Sequence, residues 1–257
     1  MKVQIDVNCD LGESYGHFKV GYDAEIMPFI TSANVACGFH GGDPNVMAET
    51  VELARRNGVA VGAHPGYPDL MGFGRREMGL SKEEVKNIVV YQVGALEAFA
   101  KAAGVELQHV KPHGALYNAA AANEGYSEAV IEALKAIDPK LIMFALANSG
   151  LAKMAVEAGL RVAYEVFADR AYNSDGTLVS RGLRGSVIEA PRLVAERAVK
   201  MVKEKKVVAV DGRTVEFDGV HTICVHGDTL NAVDLAKYLR KALASAGIEL
   251  VPVSRLV

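Results

Sequence analysis

What most constrains this chain is an alternation. Short apolar, β-branched runs recur from end to end, at 3–7, 31–36, 59–63, 108–111, 141–145, 161–167 and 222–225, with longer helical patterns between them. Most of these runs are apolar throughout instead of alternating with polar residues, as strands covered on both faces must be. Repeated units of this kind, with no linker or low-complexity segment, predict an α/β fold of parallel strands. An open doubly wound sheet and a closed barrel both satisfy the pattern.

The helices have readable ends. Asp43-Pro44 starts one, with Asp as N-cap and Pro at the first helical position, and Asn57-Gly58 closes it. Ser81 and Glu84 form a capping box for a second, which runs to a glycine cap at Ala103-Gly104. Further helices are expected near 127–137, 149–159, 190–205 and 229–247. One segment breaks the rhythm: 207–217, with Asp211-Gly212 at its centre, reads as a β-hairpin inserted before the last strand.

At 257 residues, half of them hydrophobic, the chain suits a single domain over 1–257 built on one large core. A net charge of −3 leaves no basic field for nucleic acid or an anionic membrane. The densest basic run, Lys203, Lys205 and Lys206, ends a helix, where cations offset the dipole. No leader pattern and no apolar run of membrane-spanning length is visible. Cys9, Cys37 and Cys224 are odd in number and far apart, which suits a reducing, cytoplasmic setting, and they read as packing residues. Neither a CxxC pair nor a phosphate-binding P-loop is present, and Gly72-Phe73-Gly74 reads as a loop and not a dinucleotide fingerprint.

Polar residues concentrate where the strand-like runs end, and glycines follow them. The first run leads into Asn8-Cys9-Asp10-Leu11-Gly12-Glu13, the second into His40-Gly41-Gly42-Asp43, and the third into His64-Pro65-Gly66 with Asp69 beyond. The others of note end in Lys111-Pro112-His113-Gly114, Asp169-Arg170-Ala171-Tyr172 and His226-Gly227-Asp228. In parallel α/β folds the carboxyl ends of the strands form the rim on which sites are built. Four of the seven histidines fall there, so a reaction centre is expected at this rim. His17 reads as an exposed loop histidine, and His109 and His221 lie at strand beginnings, where no chemistry is expected.

Taken together, the blocks 7–13, 32–44, 62–69, 110–118, 165–172 and 225–228 resemble the LamB/YcsF family, the A component of prokaryotic 5-oxoprolinase. The resemblance spans essentially the whole chain. It implies a distorted TIM-type (β/α)7 barrel related to glycoside hydrolase and deacetylase folds. It also implies ATP-dependent opening of 5-oxo-L-proline to L-glutamate in company with two further subunits, with ATP handled together with those partners.

Opening an unreactive lactam needs an activated carbonyl, a positioned water and charge stabilisation. The expected catalytic group is Asp10, His40, Lys111, His113 and His226: Asp10 or His113 as base, His40 and His226 as proton donors to the leaving nitrogen. Lys111 and Arg170 are the expected cations for a carboxylate or phosphoryl group. Asn8 and Asn34 would orient the amide, and Glu13, Asp69 and Tyr172 complete the expected substrate shell. Asp10, His64 and His113 also fall in the order in which barrel-type carbohydrate deacetylases place an Asp-His-His triad, which would admit a divalent metal. Competing readings are a stand-alone metal-dependent amidase or deacetylase, and a non-catalytic substrate-binding subunit.

Overall fold

The structure, a computed structural model, describes residues 2–228 and 231–257. Its strands are β1 (Gln4–Leu11), β2 (Ser32–Ala36), β3 (Ala60–His64), β4 (Leu107–Val110), β5 (Ile142–Leu146), β6 (Arg161–Phe167), β7 (Lys206–Val208), β8 (Thr214–Glu216), β9 (Thr222–His226) and β10 (Glu249–Leu250). The helices are α1 (Asp23–Ile26), α2 (Pro44–Asn57), α3 (Lys82–Ala102), α4 (Gly114–Ala122), α5 (Glu124–Ile137), α6 (Gly150–Glu157), α7 (Pro191–Glu204) and α8 (Ala232–Ser245).

Strands β1 to β6 pair in sequence, β9 follows β6, and β9 pairs back onto β1, all in parallel. The sheet is therefore a closed seven-stranded barrel, and the open alternative falls away. β10 adds a short parallel pairing beside the start of β1, with Gln4 opposite Glu249. β7 and β8 form the antiparallel hairpin expected around Asp211-Gly212. Among the described residues, no helix is long and apolar enough to cross a membrane.

Local signals set the helix ends. Asp43 accepts from the amides of Asn45 and Val46 to cap α2, and the full capping box of Ser81 and Glu84 opens α3. Helix α4, absent from the sequence reading, is rich in alanine, and Ala115, Leu116, Tyr117 and Ala120 are buried. Its mostly apolar residues show no single stripe, so it carries no strong amphipathic signal. The expected helix over 229–247 is α8; Thr229 and Leu230 lie outside the described residues.

Strand β1 corrects the sequence reading most. It continues four residues past Val7, so Asn8 and Asp10 sit within the strand and not beyond it. Its even-numbered members Asp6, Asn8 and Asp10 point into the barrel, while Val7, Cys9 and Leu11 join the core beneath the helices. The inward direction is shown by bonds between strands that are not neighbours. Asn8 of β1 donates to Glu165 of β6 at 2.9 Å, and His109 of β4 meets Asn34 of β2 at 2.8 Å. Ile142, Phe144, Ala163 and Val253 form a separate small apolar cluster, and Phe144 stacks on His109. Gly62 is required here, because a Cβ at that position would stand 2.1 Å from the His109 ring.

Candidate active site

The carboxyl ends of the strands open into a cleft of about 870 Å³. Its lining includes Asp10, Glu13, His64, Lys111, His113 and His226 together with Arg75, Arg170, Arg181 and Asp228. Of the expected site residues, those first six and Arg170 therefore converge on one cleft.

At the floor, the Lys111 ammonium donates to Asp10 Oδ1 at 2.8 Å and lies 3.1 Å from Glu165 Oε1 and 2.9 Å from Cys224 Sγ. Burial disfavours its charge, yet the Asp10, Cys224 and Glu165 groups hold its pKa well above the ordinary lysine value. Burial likewise pushes the Asp10 carboxyl upward, but His64 and Lys111 outweigh it and keep Asp10 well below the usual carboxylate range. The lysine expected to bind substrate thus already has two buried carboxylates as partners.

Beside this pair stands a cluster of Glu13, His40, His64 and His113, all buried, with ligand atoms within 4.8 Å of one another. His64 Nδ1 is 2.7 Å from the Lys111 carbonyl and His113 Nε2 is 2.8 Å from the Phe73 carbonyl, so both of those ring nitrogens carry hydrogen and donate it. The other nitrogens, His64 Nε2 and His113 Nδ1, face each other at 2.9 Å. Two neutral imidazoles in these tautomers would direct lone pairs at each other, so a proton or a cation has to lie between them. Asp10 Oδ2 approaches His64 Nε2 at 3.3 Å and Glu13 Oε1 approaches His113 Nδ1 at 3.4 Å. Burial and the Asp10 charge hold the Glu13 carboxyl well above its usual range.

The geometry of this corner depends on a loop. Phe73 adopts a left-handed φ of 54° and Gly74 one of 63°, turning the Phe73 carbonyl onto His113. A Cβ on Gly74 would stand 2.7 Å from His40 and 2.8 Å from His113. His40 stacks on His113 with ring centroids 3.7 Å apart and contacts Glu13 at 3.2 Å, but it does not line the cleft.

On β9, which pairs with β1, His226 Nδ1 meets Asp169 Oδ2 at 2.6 Å and its ring stacks on Phe167. Burial opposes ionisation of Asp169, but His226 holds its carboxyl below the ordinary value. A ring nitrogen of His226 lies within 4.8 Å of ligand atoms of Asp10 and Cys224.

Other expected residues are placed elsewhere. Asn8 and Asn34 are fully buried beneath Asp10: Asn34 donates to Asp10 Oδ1 at 2.8 Å and to Asn8 Oδ1 at 2.7 Å. They hold Asp10 in place from below. Asp69 is bound by Arg76 and the Gly72 amide in the loop after β3, outside the cleft lining. Tyr172 is buried with its hydroxyl accepting from the Phe167 amide. Arg170 lines the cleft, yet its guanidinium donates to the Val179 carbonyl at 2.6 Å and the Ser186 carbonyl at 3.3 Å.

Three residues escaped the sequence reading. Glu165 bridges Asn8, Lys111 and the Tyr117 hydroxyl, the last at 2.6 Å. Its signal was an acid inside an apolar strand. Arg75 and Arg181 sit in loops whose sequence does not announce that they reach the cleft.

A closed barrel with acids, imidazoles and a lysine gathered at the carboxyl ends of its strands is a (β/α)7 enzyme of the hydrolytic type. More particularly, the chain belongs to the LamB/YcsF family, whose profile matches residues 5–257. Among curated relatives, the 5-oxoprolinase A component of Pyrococcus horikoshii is 57% identical over 99% of this chain and 100% of its own length. Its counterpart in Alkaliphilus metalliredigens is 53% identical over 99% of each. The solved lactam utilization protein of Thermus thermophilus superimposes with a TM-score of 0.92 at 50% identity, covering 97% of this chain and 99% of that one. A solved chain from Enterococcus faecalis V583, at 15% identity and a TM-score of 0.59 with full coverage of both, shares the fold alone.

Proposed function

We propose that this chain is the lactam-opening subunit of an ATP-dependent 5-oxoprolinase, converting 5-oxo-L-proline to L-glutamate together with two further subunits. The observation that carries the chemical part is that one cleft is lined both by the Asp10–Glu13–His64–His113 corner and, on the strand paired with β1, by the Asp169-oriented His226. The first can take a proton from water as it attacks carbon 5; the second can deliver one to the leaving nitrogen. The full-length likeness to relatives named as the A component of 5-oxoprolinase supplies the substrate class.

The chain has no phosphate-binding P-loop, and in this reading the partner subunits assist the ATP step. Transfer of a phosphoryl group to the lactam oxygen would make carbon 5 electrophilic, and this barrel would hold the activated lactam for water. The donor set at the acid–imidazole corner also suits a divalent metal, because the neighbouring nitrogens of His64 and His113 and the carboxylates of Asp10 and Glu13 could bind one cation together. Asp10, His64 and His113, with Glu13 beside them, would hold it, and it would acidify a bound water or polarise the carbonyl. The same cluster favours, as a second reading, a metal-dependent amidase that needs neither ATP nor partners.

The test is glutamate release from 5-oxoproline, with and without ATP, by the chain alone and with its partner subunits. Release only in the complete ATP-containing mixture is expected. Full activity of the isolated chain with ATP would sink the division of labour, and ATP-independent amidase activity would bring the second reading forward. Elemental analysis of the purified chain should find a divalent metal that a His64→Ala/His113→Ala variant loses; equal content in both would remove the metal.

A further inference from the structure

We propose that Arg75, Arg170 and Arg181 form an anion pocket on the outer wall of the cleft that receives the phosphoryl group of a lactam activated on its oxygen. This rests on the function proposed above and assigns it a binding site.

The three arginines come from separate segments: the loop after β3, the exit of β6, and the strap that follows it. All three line the cleft: Arg170 ties the strap down through the Val179 and Ser186 carbonyls, and that strap carries Arg181 into the lining. Arg75 reaches over the Phe73 ring at 4.9 Å from the other side.

The charges on this wall do not balance by contact. Asp228 is taken by Arg75 at 2.5 Å, and Asp169 by His226. Arg170 donates to neutral carbonyls, and among the described residues the Arg181 guanidinium has no hydrogen-bonded or ion-paired partner. Two guanidinium groups therefore line one cleft without a carboxylate in contact with either. Elsewhere several arginines do have one: Arg55 and Arg56 share Glu52, Arg76 has Asp69, and Arg192 has Glu196. Burial, followed by the neighbouring Arg181 charge, presses the Arg170 pKa down to about 10, as expected for like charges held together in a partly dry wall. Like charges are costly to collect; Asp169 and Asp228 offset part of that cost from a distance, and an anion in the cleft would offset more.

The size of the answering charge follows from the count. 5-Oxoproline carries a single carboxylate, which one arginine can fork. A phosphoryl group brings up to two negative charges and three acceptor oxygens, which suits two or three guanidinium groups lining one cleft. In the function proposed above, the phosphoryl group arrives on the substrate. After turnover the same wall would hold inorganic phosphate.

The test is calorimetric titration of the full chain with inorganic phosphate, and separately with 5-oxoproline. Wild type should bind phosphate, and Arg181→Ala and Arg75→Ala should each weaken it about tenfold or more, the loss of one charged hydrogen bond. Arg184→Ala, an exposed position on the same strap, should bind as wild type does. Circular dichroism confirms that each variant is folded, and Arg181→Lys should retain part of the affinity. Absence of phosphate binding by wild type, or equal binding by Arg181→Ala, overturns the pocket. So does a loss for 5-oxoproline as large as that for phosphate, since the wall would then be a carboxylate site. Those results leave the 5-oxoprolinase reading intact; failure of the complete mixture to release glutamate removes that reading and not the phosphate titration.

Discussion

Asp6 and Asp10 lie four residues apart on one strand, point into the same barrel and are both buried, yet their surroundings are opposite. Asp6 meets only hydroxyls: Thr222 donates to it at 2.5 Å, and Thr31 and Ser32 at 2.7 Å each. Burial outweighs those bonds and raises its pKa to about 6. Asp10 meets Lys111, Asn34 and His64 and stays well below the usual range against the same burial. Burial does not decide what a carboxyl inside this barrel does; the neighbouring charge does. The amino-terminal end of the barrel is a neutral hydroxyl cage that ties strands together. The carboxyl-terminal end is an ionised cluster facing a cleft, where charge can act on a ligand.

The contrast can be broken most forcefully at Lys111. Lys111→Met leaves Asp10 and Glu165 buried without their cation and should cost about 3–5 kcal/mol of stability, along with nearly all glutamate formation. Urea denaturation and the assembled assay check this, and a loss below about 1 kcal/mol would show that the ion pair is solvated. Asp10→Asn keeps Lys111 paired with Glu165, so the fold should survive while turnover in the complete mixture falls at least about 100-fold. Turnover within a few-fold of wild type would place the base elsewhere. Asp169→Asn frees the His226 ring to change tautomer, and a loss of roughly 100-fold in turnover with substrate affinity retained is expected; a change confined to affinity would make His226 a binding residue.

Asp6 sharpens the contrast from the other side, with the smallest effect on activity. Its folded pKa of about 6 lies above the unfolded value of 3.8, so the folded state binds the proton more tightly. That contribution is complete below pH 3.8 and is lost as pH rises through about 6. Asp6→Asn should therefore gain on wild type across that window, by about 3 kcal/mol at roughly 1.4 kcal/mol per pH unit. Above it the gain should level off, with glutamate formation unchanged. Denaturation midpoints measured from about pH 4 to 8 test this; a gap between variant and wild type that stays constant with pH would mean that Asp6 does not titrate in the folded state.

Much of this was legible in the chain. Apolar runs alternating with capped helices predict parallel strands, and the hairpin at Asp211-Gly212 and the caps at Asp43 and Ser81 stand where their residues put them. These are local effects, set by residues a few positions apart. The rim was legible too, because polar residues cluster where apolar runs end.

The individual roles were not. Asn34 and Tyr172 carry the same kind of signal as Glu13 and His226, yet the first two are buried beneath or behind the cleft and the last two line it. Arg75 and Arg181 gave no sign of belonging to a site, since their place depends on how two loops fold over the rim. Glu165 becomes the partner of Lys111 only because β6 and the exit of β4, on either side of β5, both turn these side chains into the interior.

The sequence by itself determined most of the strands and helices, several of their ends and the side of the barrel on which chemistry collects, because propensity, capping and periodicity act over short stretches of chain. Closure of β9 onto β1, and with it the charge each buried acid keeps, was decided only by the tertiary structure. A carboxyl's ionisation depends on which distant side chains the closed barrel brings within a few ångströms, and no local pattern encodes that distance.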